Sequence, residues 1–242
     1  TEYFSSICDA RVIWGGDYTI KNIRKFQTPV RCIDIAFADS YSLCVINTDC
    51  LLEQNPSEII KIIERFYNDT FIMDQHACSS PHLILWLGKK NQKSKNQFWK
   101  SLDVYVKKNY KLQSISAVEK YNKFCQNAIE INMPFELIRH GNHIYRIVLD
   151  KLPDNIHCFR GNCGYFFEYD AKELSEIIHI ISNKYQTLTY FGLKNSFLKD
   201  FVIDNNLKGV DRIVPIGQAL EMSLIWDGFD IIESLSRIVD CN

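Results

Sequence analysis

The chain has 242 residues, of which 46% are hydrophobic and 24% charged, and a formal net charge of −1. That length can bury a real core as one large domain or two small ones. The near-neutral balance gives no electrostatic reason to expect a nucleic acid or an anionic membrane as partner. No apolar stretch approaches the ~18 residues a spanning helix needs, and the longest runs, such as His82–Leu87, have strand length. Nine cysteines, an odd number without a repeating interval or a signal peptide, suggest free thiols in a reducing compartment, hence a cytoplasmic protein. Cys32, Cys44 and Cys125 read as small buried hydrophobes. The first residue is Thr1 and a buried-strand pattern follows within ten residues, so a segment of a longer protein is expected.

Ala10–Trp14 is a short apolar run closed by Gly15-Gly16-Asp17, with helix-compatible residues from Tyr18 to Phe26: strand, tight turn, helix. Arg31–Phe37 and Tyr41–Asn47 follow as strands. The next helix is well signalled, with Asn55 as N-cap, Pro56 at the first helical position and Glu58 three residues after the cap. Ile59, Ile60, Ile63, Phe66 and Tyr67 then form its core-facing stripe, and it frays at Asn68-Asp69. His82–Leu87 is a buried strand, and Lys89–Gln97, within the basic run Lys89–Lys100, is expected as a solvated loop. Helices are expected at Phe98–Lys108, Ala117–Ile129, Ala171–Lys184 and Ser196–Asn205. Strands are expected at Tyr165–Tyr169, Gln186–Gly192 and Asp211–Ile216, with a hairpin of Phe135–His140 and His143–Leu149 around Gly141-Asn142 and a mostly helical end. Strands alternating with helices argue for an α/β fold with a largely parallel sheet.

The sharpest local feature is Asp74-Gln75-His76-Ala77-Cys78-Ser79-Ser80-Pro81, just ahead of an apolar strand. A thiol that a thioester carbonyl must reach needs little side-chain crowding, and small, turn-forming residues supply that. Successive backbone N–H groups in such a loop can lower the thiol pKa and bind an oxyanion. A Cys in a small-residue turn is more often inert, so the pattern alone does not make Cys78 catalytic. His76 and His82 flank it and could serve as acid or base, although His82, on the incoming strand, could equally pack under the loop. Gly15 and Gly16, where a strand meets a helix, could let a pyrophosphate approach the backbone, or could be a plain turn. Glu168 is expected at a solvent-facing strand end, since a buried carboxylate is costly. His157-Cys158 with Cys163-Gly164 resembles half a metal knuckle without a closing pair, so no metal site is expected. The four tryptophans read as core and interface anchors.

Several blocks in order along the whole chain resemble the LuxC-type acyl-CoA reductases, the reductase component of the bacterial luminescence fatty acid reductase system. They are Trp14-Gly15-Gly16-Asp17, Tyr41-Ser42-Leu43, Asn68-Asp69-Thr70, Gln75-x-Ala77-Cys78-Ser79-Ser80-Pro81, Gly164–Tyr169, Arg212–Gly217 and Trp226-Asp227-Gly228. The Cys-Ser-Ser-Pro and Val-Pro-Ile-Gly blocks are the most specific. The family is similar to aldehyde dehydrogenases, which implies a three-layer α/β/α catalytic domain with part of a Rossmann-like cofactor domain. On that resemblance residues 1–50 end an NADP-binding domain, 51–208 form the nucleophile domain and 209–242 are a C-terminal return segment.

The resemblance also implies NADPH-dependent reduction of an acyl-CoA or acyl-protein thioester to a fatty aldehyde. Cys78 would be the nucleophile, Ser79, Gln75 and His82 its oxyanion or supporting groups, and Gly15, Gly16 and Thr19 the cofactor contacts. An acyl-protein synthetase, an acyltransferase and a second copy of the chain are its implied protein partners. Ordinary aldehyde dehydrogenases carry a glutamate base upstream of the nucleophile. The corresponding stretch here falls at Cys44 or at Ala36–Ala38, and no glutamate occurs between Glu2 and Glu53. An enzyme that reduces its thioester rather than hydrolysing it gains from that absence. Two other readings remain at this point: a cysteine thioesterase or acyltransferase sharing the acyl-Cys step, and a non-catalytic half that docks a partner and is inactive alone.

Overall fold

A computed structural model describes residues 1–89 and 92–241. In chain order the elements are α1 (Glu2–Ile7), β1 (Ala10–Trp14), α2 (Asp17–Ile23), β2 (Ile33–Phe37), β3 (Tyr41–Asn47), α3 (Thr48–Leu52), α4 (Pro56–Thr70), β4 (Pro81–Leu87), α5 (Gln92–Asn109) and α6 (Ser114–Glu130). There follow β5 (Phe135–His140), β6 (Ile144–Leu149), β7 (Tyr165–Ala171), β8 (Tyr185–Phe191), α7 (Asn195–Asp204), β9 (Arg212–Pro215), β10 (Ile225–Trp226), β11 (Phe229–Asp230) and α8 (Ile231–Leu235). They divide into two compact units, 1–40 with 222–242 and 41–221.

The larger unit is built on a seven-stranded sheet in the order β5-β6-β7-β4-β3-β8-β9. All pairings are parallel except β5 with β6. The central strands are buried on both faces, which is why they read as unbroken apolar runs rather than as an alternation. Leu43, Val45, Leu83, Leu85 and Phe167 face one core, which also holds Ile177 and Leu198 and has Phe124 of α6 packed against it. Cys44, Ile46, Ile84, Trp86 and Phe166 face the other, which is filled by Ile59, Ile62, Ile63 and Phe66 of α4 and Phe98, Trp99, Leu102 and Val106 of α5. The result is a three-layer arrangement.

Helix α4 begins as its sequence dictates, with the Asn55 side-chain oxygen accepting from Glu58 N at 3.0 Å and Pro56 at the first position. Its buried face uses Ile62 in place of the expected Ile60, which is exposed. The basic run is not a loop from Gln92 onward. It forms the first turns of α5, and Lys95 is buried against Asp170 at 2.7 Å. Residues 90 and 91 of that run lie outside the described residues. The helix expected at Ala171–Lys184 is instead the end of β7, a single 3-10 turn at Leu174–Ile177 and further turns. Of the three cysteines expected to be buried, Cys44 is, while Cys32 and Cys125 are half-buried.

The smaller unit pairs β1 with β2 in parallel. Its core is Ile35, Phe37 and Trp226, with Ile33 and Ile231 packed against them. The expected helical end is in fact a β10–β11 hairpin turning through Asp227 and Gly228, both at positive φ, and a five-residue α8. Trp14 is half exposed, whereas Trp86, Trp99 and Trp226 are buried.

Candidate active site

Residues 71–80 connect α4 to β4 and carry Cys78 to the N-terminal edge of the parallel strands. The segment turns sharply, because Asp74 and Gln75 are consecutive residues in left-handed backbone at φ 52° and 57°. Backbone bonds from Gln75 N to Thr70 O, His76 N to Met73 O and Ser80 N to Ala77 O close it. Neighbouring elements then pin it. The buried Gln75 amide donates to Pro81 O and Tyr165 O, each at 3.2 Å, and its carbonyl accepts from Gly164 N at 2.7 Å and Tyr165 N at 2.8 Å. Asp74 O accepts from Cys163 N at 2.9 Å, and its carboxylate accepts from the Tyr110 hydroxyl. Gly164 is required in this clasp: at φ 89°, an added Cβ would lie 2.2 Å from His143 O.

Cys78 itself is half-buried. Its carbonyl accepts from Ser42 Oγ at 2.6 Å, and Ser42 in turn accepts from Thr187 N at 3.1 Å, which ties the nucleophile to β3 and β8. The Gln186 amide nitrogen lies 3.4 Å from Cys78 Sγ and donates to it. Ser79 and Ser80 are buried, and Ser80 Oγ donates to Asp69 O at 2.7 Å. Asp69 anchors the segment after β9 by accepting from Gly217 N at 2.7 Å and Ala219 N at 2.8 Å, while burial pushes its carboxyl up to about 7. By contrast, burial pushes the Cys44 thiol so far up that it stays protonated in the core.

Of the two histidines, His82 is buried, stacked on Tyr41 with ring centroids 5.5 Å apart, and has Nδ1 3.0 Å from Gly161 O. Burial, then the Arg160 charge, hold its pKa down at about 3, so the ring is neutral at physiological pH. His76 is exposed, with Nδ1 3.1 Å from the Asn162 side-chain amide. Glu168 is not at a solvent-facing strand end. It is buried in β7, where it accepts from Arg146 Nε at 2.6 Å, Trp86 Nε1 at 2.6 Å and Trp99 Nε1 at 2.8 Å. Four hydrogen bonds and a full ion pair offset the cost of burying the charge.

Gly15 and Gly16 lie between β1 and α2, with Gly15 N donating to Phe37 O at 3.1 Å and Ile20 N to Gly16 O at 3.0 Å. A Cβ on Gly16 would meet nothing within 4 Å, whereas one on Gly15 would touch the Thr19 methyl at 3.3 Å. Among the described residues, no group of three His, Cys, Asp or Glu stands together as a metal site, and no helix is long and apolar enough to cross a membrane.

Gln186, Ser42 and Asn162 were not among the expected site residues. The one signal for Gln186 was polarity where none is needed: Gln186, Thr187 and Thr189 interrupt a strand that the fold buries.

A seven-stranded α/β sheet with a cysteine on the loop ahead of a central strand has the aldehyde dehydrogenase fold. Aldehyde dehydrogenase 21 from Physcomitrella patens, solved in complex with succinate, superposes with a TM-score of 0.58 at 11% identity, covering 91% of this chain and 47% of that one. An NAD-dependent benzaldehyde dehydrogenase from Corynebacterium glutamicum gives a TM-score of 0.55 at 9% identity over 91% of this chain and 50% of that one. Within that fold, residues 1–238 match the acyl-CoA reductase (LuxC) family, and the chain belongs to it. It is similar to the long-chain acyl-protein thioester reductase of Photorhabdus laumondii subsp. laumondii, 24% identical over 239 residues. That match takes in 96% of this chain and 45% of the relative, so the chain spans a little under half the length of the curated relatives it matches.

Proposed function

We propose that this chain carries the nucleophile of an NADPH-dependent reductase that converts an acyl-CoA or acyl-protein thioester to a fatty aldehyde through an acyl-cysteine on Cys78. The observation that carries the reading is the setting of Cys78. The thiol is half-exposed, on a loop clamped by Gln75, Asp74 and Ser42, with an amide N–H directed at its sulfur. In the acyl-transfer step the Cys78 thiolate attacks the thioester carbonyl. The C–S bond to the carrier breaks, and the carrier thiolate leaves and takes a proton. A nicotinamide cofactor, when bound, supplies the hydride. Cys78 holds the resulting thiohemiacetal as its oxyanion, whose C–S bond then breaks to release the aldehyde and return the thiolate.

Supporting groups divide by reach. Gln75 shapes the loop rather than the oxyanion, since its side chain is committed to Pro81, Gly164 and Tyr165. Ser79 and the backbone amides around Cys78 are the oxyanion candidates, and neutral His82 is a packing support under the loop. Gly15, Gly16 and Thr19 form the candidate cofactor contact, and the open space at Gly16 fits close approach of a ligand to the backbone. Asp17 in the first turn of a helix of only seven residues disfavours a pyrophosphate there. The turn suits an uncharged part of the dinucleotide better. NADPH rather than NADH, and the domain roles of residues 1–50, 51–208 and 209–242, rest on the family resemblance. So do an acyl-protein synthetase or acyltransferase partner, a homo-oligomer and a cytoplasmic location.

A thioesterase would need a base to activate water. The chain offers no glutamate between Glu2 and Glu53, and His82 is buried with its pKa held down at about 3. The test is intact mass after incubation with a long-chain acyl-CoA. A single acyl adduct is expected that hydroxylamine releases and that the Cys78→Ala variant lacks. An adduct that persists in the variant, or none in a protein whose Cys78 still reacts with iodoacetamide, overturns the reading.

A further inference from the structure

Gln186 lies on β8, 108 residues from Cys78 in sequence, and is 2% exposed. An amide taken out of water needs partners inside the protein. The Thr187 hydroxyl donates to Gln186 Oε1 at 3.2 Å, which holds the amide with its nitrogen toward Cys78 Sγ at 3.4 Å. Ser42, on β3, couples β8 to the nucleophile loop, since it accepts from Thr187 N and donates to Cys78 O. The sulfur and the amide are therefore held in register by two separate links.

We propose that Gln186 is a catalytic residue of this site, donating a hydrogen bond to the Cys78 sulfur whenever that sulfur carries negative charge. The inference rests on the acyl-cysteine reading above and names the group that makes it work. An amide N–H binds a neutral thiol weakly and a thiolate strongly. It thus favours thiolate without acting as a base, and it does not titrate. The same bond is available twice, before attack on the thioester and again when the thiohemiacetal expels the sulfur as thiolate. Lowering a thiol pKa by one unit raises its thiolate fraction about tenfold and costs roughly threefold in intrinsic nucleophilicity, so the net gain near neutrality is about threefold. In the leaving step the stabilisation acts without that cost.

Other titratable and charged groups stand on the elements at this edge of the sheet. They are His76 on the nucleophile loop, Tyr41 on β3, His82 on β4, His157, Cys158 and Arg160 ahead of β7, Lys184 ahead of β8, Tyr185 on β8, and Asp211 and Arg212 at the start of β9. All remain in place when only position 186 is changed, so a difference between variants belongs to that position.

The test follows iodoacetamide alkylation of Cys78, read by peptide mass spectrometry from pH 6 to 10, in the unaltered chain and in Gln186→Leu, Gln186→Met and Gln186→Glu. Buried Cys44 and Cys163 report in each sample whether the fold is kept. In the Leu and Met variants the Cys78 profile is expected to move up by about one pH unit, with a three- to tenfold slower rate at pH 7 and an undiminished plateau at high pH. Gln186→Glu should move it further, because a carboxylate repels the thiolate. An unmoved profile in whichever of the Leu and Met variants keeps Cys44 and Cys163 protected overturns the proposal, as does loss of that protection in both. No acyl donor is used. A shifted profile in a chain that takes no acyl group from acyl-CoA would therefore sink the reductase reading and leave the thiolate donor standing.

Discussion

Gln75 and Tyr165 exchange hydrogen bonds across 90 residues: the Tyr165 amide donates to Gln75 Oε1 at 2.8 Å, and Gln75 Nε2 donates back to Tyr165 O at 3.2 Å. This pair makes the nucleophile loop and the start of β7 one rigid piece. Its value lies in satisfying backbone groups that neither segment can satisfy alone, in a position buried from solvent. Gln75→Leu keeps the volume and leaves the Gly164 and Tyr165 amides buried and unpaired. Each such group costs ~1–3 kcal/mol, so a loss of about 3 kcal/mol in unfolding free energy is expected from urea titration. A loss below about 1 kcal/mol would mean that the loop reorganises to find other partners.

His82 and Asp69 should give stability a composite pH dependence. His82 has its pKa lowered from 6.5 to about 3 by burial, so between those values the unfolded chain binds the proton and the native one does not. Its contribution is complete above pH 6.5 and is lost as pH falls toward 3, with a slope of up to ~1.4 kcal/mol per pH unit. Asp69 has its pKa raised from 3.8 to about 7, so native protein binds the proton more tightly there. Its contribution is complete below pH 3.8 and is lost as pH rises to 7. The two slopes oppose each other between about pH 4 and 6.5. In Asp69→Asn, stability should rise more steeply with pH through that window than in the unaltered chain. In His82→Phe it should rise less steeply or fall. Denaturant titrations at half-unit pH steps read both, and parallel curves for all three proteins would show that neither group is perturbed in the native state.

The sequence carried the signals that act locally. The Asn55-Pro56-x-Glu58 start of α4 and the apolar runs of β3 and β4 are properties of short windows, and the structure realises them within a residue or two. Cys78 stood out for the same reason, as a thiol among small residues ahead of a buried strand. Partnerships across the fold left no such trace. Gln186 shows only as a polar break in a strand until β8 is laid beside β3. Glu168 looks solvent-facing until Arg146, one strand over, is seen beside it. The Ala171–Lys184 segment has helix-like composition. However, Glu173 and Glu176 cap a single tight turn, and the chain must re-enter the sheet at Tyr185. At the far end Asp227-Gly228 is a strong hairpin signal, but the strands it joins are two residues long and leave no alternating pattern.

Glu168 and Arg146 make the sharpest energetic test of the core. They meet diagonally across neighbouring strands at 2.6 Å, with the guanidinium 4.6 Å from the Trp99 ring and both indole N–H groups of Trp86 and Trp99 on the carboxylate. Removing one partner strands the other charge in an apolar layer, and Arg146→Leu or Glu168→Leu should each cost about 3–5 kcal/mol. Removing both charges deletes the penalty together with the attraction. The double variant should therefore lie well above the sum of the singles, with a coupling of about 2 kcal/mol or more. Two indole donors would still lack an acceptor in the Leu double, so Arg146→Met with Glu168→Gln is expected to be the most stable of the paired replacements. A purely additive double-mutant cycle would show that the two charges are screened from each other, contrary to a bond at 2.6 Å between side chains no more than 5% exposed.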